Sequence, residues 1–132
     1  MDKATLRQYR GLLREIDELE REKRLVLDRY LAPPQLTDMP IGSVEPDRIG
    51  SVVAQREKYQ QMIDTKLDEL ISLRGDIEEA IASLPAADRR IIRARYVQGK
   101  SWQRIAREQH YSVDWLWHKH GEILLKMANN DR

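Results

Sequence analysis

Few side chains in this 132-residue chain could take part in covalent or metal chemistry. The sequence contains no cysteine, which excludes disulfides, thiolate zinc sites and cysteine nucleophiles together. Of the three histidines, His118 and His120 would point apart on a helix, and no carboxylate or cysteine completes a metal-binding set with His110. No glycine-rich phosphate loop, Ser/His/Asp set or pair of catalytic carboxylates is visible. We therefore expect no enzymatic activity, no cofactor and no bound metal.

A second group of residues has the spacing of a module that binds duplex DNA. Ser101 and Ser112 are good N-caps for two helices that follow them, and Gly99 before the first can adopt the left-handed conformation that ends a helix. The small Ala106 would let two crossing helices approach, and Leu116, ten residues later, would be the buried anchor of the second helix. This spacing is typical of a helix-turn-helix, whose second helix enters the major groove.

Such a geometry would make two kinds of contact with DNA. Backbone amides at the starts of both helices would meet phosphates, and side chains on the second helix would face base edges or the groove wall. The candidate DNA-binding residues are Lys100, Ser101, Arg104, Ser112, Val113, Asp114, Trp117 and His118.

Three aromatic positions near these candidates are expected to have different roles. Trp102 should lie in the core, because its position in the short helix faces the preceding one. Trp115 and Trp117 flank Leu116 and cannot share its direction, so we expect one of them to be exposed and available for a thymine methyl group or a protein partner. His120 is expected to be packed or hydrogen-bonded within the domain.

The chain before this module has the pattern of two long helices. Apolar residues recur at a 3–4 spacing over residues 4–31, and a heptad repeat runs from Ile49 to Leu84 with nine of eleven core sites apolar or tyrosine. Four of the five prolines fall within residues 32–46, which no helix should cross. We predict a coiled-coil helical hairpin over residues 1–84 with a proline-rich linker at 32–46, and, from Pro85, a helix-turn-helix domain over residues 85–132.

Composition supports this division and excludes other classes of protein. With eight aromatic residues, no phenylalanine and six glycines, the chain is too poor in strand and turn formers for a β-sandwich or barrel. Residues 1–84 carry 13 basic and 17 acidic residues, net −4, whereas residues 85–132 carry 10 and 5, net +5. The basic part is expected to meet an anionic partner. No apolar run could span a bilayer and the N-terminus lacks the pattern of a signal peptide, so we expect a cytoplasmic protein.

The C-terminal part of the sequence resembles a known family. Residues 84–96 look like the first helix of sigma-70 region 4, residues 99–106 continue the likeness, and Tyr111, Ser112, Leu116, His120 and Gly121 complete it. Within that superfamily the layout is most similar to small phage-encoded regulators of the ArpU/RinA type, which combine an N-terminal coiled coil, a proline-rich break and a sigma-like helix-turn-helix. The specific likeness covers residues 84–127. It implies sequence-specific binding to duplex DNA and regulation of phage operons, without enzymatic activity.

We therefore predict an all-α protein, a long helical coiled-coil hairpin followed by a three-helix sigma-70 region 4-like helix-turn-helix domain. Its predicted function is DNA-binding transcriptional regulation of phage or prophage late genes, as an oligomer, most simply a dimer, built through the coiled coil. The alternative is a protein-interaction module that contacts RNA polymerase or a host factor through the sigma-like domain and the coiled coil. A third reading is a structural coiled-coil protein whose terminal domain caps the hairpin. Pairing within or between chains, the operator and the sign of regulation are left open.

Overall fold

The computed structural model describes residues 1–31 and 46–130, with side chains for residues 1–29 and 48–130. This part of the chain is all-α and contains no strand, which confirms the predicted fold class. The predicted proline-rich linker at 32–46 lies outside the described residues except for Pro46, which begins a helix. The helices are α1 (Lys3–Leu31), α2 (Pro46–Ile81), α3 (Ala86–Ile92) with a π-helical turn (Arg93–Val97) that continues it, α4 (Trp102–Gln109) and α5 (Val113–Asn130).

The chain divides into two compact units, and both long helices contribute to each. Unit 1 contains Met1–Leu13 and Glu69–Arg132, and unit 2 contains Arg14–Asp68. The first turns of α1 and the end of α2 therefore belong to the same unit as the three short helices. The division into two domains at residue 84 stays a prediction.

Unit 2 is an antiparallel pair of helices. The Lys23 ammonium donates to the Gln60 side-chain oxygen at 2.6 Å, and Lys66 pairs with Glu15 at 3.0 Å. Glu15 precedes Lys23 in α1, whereas its partner Lys66 follows Gln60 in α2, so the two helices run in opposite directions. Ile63 is buried, as its heptad position predicts.

Two of the eleven predicted core positions of the heptad pattern, Ile49 and the charged site Arg56 seven residues later, are exposed instead. Ile49 is 45% exposed, and Arg56 is exposed as well. The register of the pairs in unit 2 places Ile49 beyond Leu31, the last residue of α1. Ile49 therefore has no turn of α1 to pack against, and the Arg56 guanidinium keeps its hydration.

Unit 1 has one continuous apolar core to which all its helices contribute. Side chains with at most 1% exposure lie along it from the first turn of α1 to the last turns of α5. Each such leucine or isoleucine stabilises the fold by about 1.5–3 kcal/mol relative to exposure. The sequence pattern did not single out Leu6, yet it is fully buried in this core. The fully buried members are Leu6, Ile77, Ile81, Ile91, Ile92, Ile105, Leu116, Ile123 and Met127.

A bidentate ion pair joins the end of α2 to the π-helical turn. The Arg93 guanidinium donates from Nε to Glu78 Oε1 at 3.0 Å and from Nη2 to Oε2 at 2.6 Å, and Arg74 donates to the same carboxylate at 3.1 Å. The hydrogen bond from Arg93 is the main reason that the pKa of Glu78 is lowered. The planar fork holds the turn at a defined angle to α2.

A buried carboxylate makes the corresponding link between α3 and α5. Pro85 directly precedes α3, and Asp88 lies in the first turn, where the helix dipole favours a negative charge. Asp88 is 2% exposed, and the ammonium groups of Lys119 and Lys126 on α5 lie 3.7 and 3.8 Å from its two oxygens. These two cations balance the carboxylate, whose Oδ2 accepts no hydrogen bond from the described residues.

His120 is buried at the centre of unit 1, as the sequence predicts. Its Nε2 lies 2.5 Å from the Tyr96 hydroxyl, and the Trp102 ring stands edge-on to it with the centroids 4.8 Å apart. Burial is the main cause that lowers the His120 pKa to about 4, and the positive charges of Lys3, Arg95 and Arg7 lower it further. At neutral pH the imidazole is therefore uncharged.

This burial predicts a specific loss of stability in mild acid. The folded-state pKa of His120 lies below the value of about 6.5 expected in the unfolded chain, so the unfolded state binds more protons between these pH values. The free energy of unfolding should fall by about 2 kcal/mol from about pH 7 to about pH 5. Urea unfolding of the wild type and of His120→Gln, which keeps a partner for the Tyr96 hydroxyl, measures the difference.

His118→Asn is the control, because it removes an exposed histidine of the same helix and leaves the buried His120 in place. If His120→Gln loses stability between the same pH values as steeply as the wild type does, His120 is not the group responsible.

Candidate nucleic-acid interface

The connection between the π-helical turn and α4 is a tight, left-handed loop. The Gln98 amide donates to Arg93 O at 2.8 Å and the Lys100 amide donates to Ala94 O at 2.9 Å, which closes the turn. Gly99 has a φ of +68°, as its predicted position requires, and a Cβ there would lie 2.5 Å from Cζ of Arg10. Glycine therefore permits both the conformation of the loop and the close approach of α1.

The next two helices form the predicted helix-turn-helix. Ser101 caps α4, since its hydroxyl accepts the Arg104 amide at 3.2 Å, and the Ser112 hydroxyl accepts the Trp115 amide at 3.1 Å at the start of α5. Between them His110 is left-handed, with φ 62° and ψ 44°, and the next amide, that of Tyr111, donates back to Ala106 O at 2.9 Å. The bond from Tyr111 to Ala106 is the 6→1 bond of a Schellman C-cap, formed here around a left-handed histidine instead of a glycine.

The structure brings the eight candidate DNA-binding residues into one segment from the start of α4 to the second turn of α5. Lys100 and Val113 are half-buried. The two serine hydroxyls cap their helices by accepting the Arg104 and Trp115 amides, and the preceding amides of each first turn have no intrahelical partner. That the eight candidate residues contact DNA stays a prediction. The exposed candidates are Ser101, Arg104, Ser112, Asp114, Trp117 and His118.

Two of the predicted cations are already paired with a carboxylate of α4. Lys100 Nζ lies 2.6 Å from Glu108 Oε2, and Arg104 Nε lies 2.8 Å from Oε1. These hydrogen bonds, first that of Lys100, lower the pKa of Glu108. Glu108 was not among the predicted site residues, although its position four residues after Arg104 is a known signal for a helical ion pair.

The sequence predicts the exposure of the three tryptophans only in part. Trp102 is 9% exposed, as expected, and the Arg95 guanidinium lies over its ring at 4.9 Å. Trp117 is 60% exposed, and its ring centroid lies 6.2 Å from that of Trp102. Trp115 is also exposed, at 42%, although only one exposed residue of the pair was expected. Its ring stacks on the half-buried ring of Tyr111, with the centroids 4.2 Å apart, and does not enter the core.

Comparison with known proteins agrees with this geometry. The family model described as sigma-70, region 4 matches residues 74–113, which span the end of α2, α3, the π-helical turn, α4 and the first residue of α5. No curated protein and no solved structure matches the chain. The match and the capped geometry together define a sigma-70 region 4-like helix-turn-helix domain. A domain of this kind suggests binding to DNA or to RNA polymerase.

Two further findings concern the described residues only. None of their helices is long and apolar enough to cross a membrane. They contain no cluster of three or more histidine, aspartate or glutamate side chains that could hold a metal ion.

The ion pairs on α4 predict that Glu108 weakens binding to DNA. Glu108→Gln frees Lys100 and Arg104 to pair with phosphates, and one additional phosphate contact is worth about fivefold in affinity at about 0.15 M salt. We expect the dissociation constant for a labelled duplex to fall by about that factor, with a steeper dependence on salt. Fluorescence anisotropy measures both quantities.

Glu57→Gln is the matched control, because Glu57 is exposed on α2 in unit 2 and its change adds the same charge. Equal tightening by both variants would show that net charge, rather than release of the α4 cations, is responsible.

Proposed function

We propose that this protein is a sequence-specific, DNA-binding transcriptional regulator of phage or prophage late genes, of the ArpU/RinA type. The observation that carries the proposal is the capped helix-turn-helix within and directly after the residues matched by sigma-70, region 4. Asp114, Trp117 and His118 project from the first two turns of α5, where a recognition helix contacts bases. The activity is binding without catalysis, and it takes place in the cytoplasm, where DNA is available.

Each of these side chains has chemistry that can read a base edge. The Asp114 carboxylate accepts a hydrogen bond from a cytosine amino group, the Trp117 ring packs against a thymine methyl, and His118 can donate or accept. The amides at the starts of α4 and α5 meet phosphates on either side of the groove. Because Glu108 pairs with both Lys100 and Arg104, we expect modest affinity for each copy of the domain.

A dimer built through α1 and α2 would raise this affinity. Unit 2 exposes apolar side chains that a partner can cover, including Leu25 at 52%, Val53 at 50% and Met62 at 50%. Two copies would place two recognition helices on one duplex, as paired half-sites require.

Contact with RNA polymerase or a host factor is the second candidate function. It is favoured by the neutralisation of Lys100 and Arg104 and by the exposure of Trp115 and Trp117 on one helix. Exposed tryptophans are enriched where proteins meet. Binding of the purified protein to polymerase in the absence of DNA would favour this function.

The experiment that tests the proposal is retention of genomic DNA. Purified protein is incubated at physiological salt with sheared DNA from its source genome, and the retained fragments are sequenced. We expect one or a few sharply enriched sites beside an operon. Absence of enrichment by the folded protein would contradict the proposal and favour the interaction with a protein partner.

The recognition face makes a further prediction for α5. Trp117→Ala and His118→Ala should each weaken binding to the preferred site by roughly tenfold, since a lost base contact costs about 1–3 kcal/mol. Binding to a scrambled duplex should change little. Anisotropy titrations with both duplexes give the specificity ratio.

Leu125→Ala is the control, because Leu125 is 68% exposed on the same helix two turns further along. Wild-type specificity in both the Trp117 and His118 variants would place the recognition face elsewhere.

A further inference from the structure

The first turns of α1 are anchored on the helix-turn-helix domain. Asp2 caps the helix, since its carboxylate accepts the Thr5 amide at 2.8 Å and the Thr5 hydroxyl at 2.7 Å. Leu6 and Tyr9 are buried in the core of unit 1 together with residues of α3, α4 and α5. This end of α1 therefore has a fixed position within unit 1.

Arg10 fixes that end beside the start of α4. Its Nη1 donates to Val97 O at 3.1 Å, and its guanidinium packs where Gly99 has no side chain. Gly99 is two residues before Ser101, the N-cap of α4, whose neighbouring amides are predicted to meet a phosphate. One side of α1 thus adjoins the loop that begins the helix-turn-helix.

Two further cations lie on the same side of α1 as Arg10. Lys3, Arg7 and Arg10 are spaced i, i+4 and i+7, which keeps them on one helical face. The charges of Lys3 and Arg7 also reach the interior of the domain, because both lower the pKa of His120. His120 in turn contacts the ring of Trp102, the first residue of α4.

Lys3 and Arg7 differ from most cations of unit 1 in having no partner. Both are exposed, and no carboxylate or carbonyl among the described residues lies within bonding distance of either. By contrast, Lys100 and Arg104 are paired with Glu108. A cation without an internal partner can bind a phosphate at no cost in lost ion pairs, so it contributes fully to counterion release.

We propose that Lys3 and Arg7 form a second phosphate-binding element, which contacts the backbone of duplex DNA outside the segment read by α4 and α5. This inference rests on the proposed function and extends its DNA-binding surface to the N-terminal end of α1. The ligand is the phosphodiester backbone, so the contact adds affinity and orientation but no information about sequence.

The test compares two double variants with the same change in charge. Lys3→Gln with Arg7→Gln removes the proposed contacts, whereas Arg56→Gln with Lys58→Gln removes two exposed, unpaired cations of α2 in unit 2. Binding is measured by anisotropy on the genomic duplex that the wild type retains best and on a scrambled duplex. The salt concentration is varied from about 50 to about 200 mM.

We expect the first variant to bind both duplexes roughly 10- to 30-fold more weakly at about 0.15 M salt, with a salt slope smaller by about 2. The ratio of specific to scrambled binding should stay unchanged, and the control variant should resemble the wild type. The charge-retaining exchange Lys3→Arg with Arg7→Lys should restore affinity, which separates the effect of charge from any loss of folding.

Three results would overturn the inference. Wild-type affinity and salt slope in the Lys3/Arg7 variant, with weaker specific binding by Trp117→Ala, would remove this element and leave the proposed function intact. An equal loss in the Arg56/Lys58 control would show only a general effect of charge. If the wild type binds neither duplex, the inference and the proposed function fail together.

Discussion

Burial of apolar surface limits how small a helix-turn-helix can be, and this constraint explains why the ends of two long helices are part of unit 1. Helices α3, α4 and α5 span fewer than 50 residues, a size at which about 60% or less of the chain's surface is buried. Leu6 and Tyr9 of α1 and Ile77 of α2 complete the core. The long helices thus stabilise the helix-turn-helix domain, besides pairing with each other in unit 2.

The same packing determines which charges remain free. Three carboxylates of unit 1, those of Glu78, Asp88 and Glu108, each hold two cations and thereby join helices or stiffen one of them. Fewer cations are therefore available to a phosphate than the net positive charge of the C-terminal region indicates. Among the described residues of unit 1, the cations without a carboxylate or carbonyl partner are Lys3, Arg7, Arg90 and Arg107.

Local signals in the sequence predicted the elements well, because a cap or a turn depends on a few adjacent residues. The serine caps, the left-handed Gly99 and the buried Leu116 are all where their spacing places them. The contact of Arg10 with Val97 joins residues 87 positions apart, and no pattern of spacing reveals such a pair. The heptad pattern likewise could not show that α1 ends before it reaches Ile49. The sequence therefore predicted which segment contains the candidate site. It did not predict the ion pairs of Glu108 or the position of α1 beside the site.

The π-helical turn connects the packing of unit 1 to its proposed surface. It buries Ala94 and Tyr96, while Arg95 lies over the ring of Trp102. The Tyr96 hydroxyl then meets His120, which burial keeps neutral. Because that imidazole carries no charge at neutral pH, the basic side chains around it meet no additional repulsion and can stay close to the start of α4.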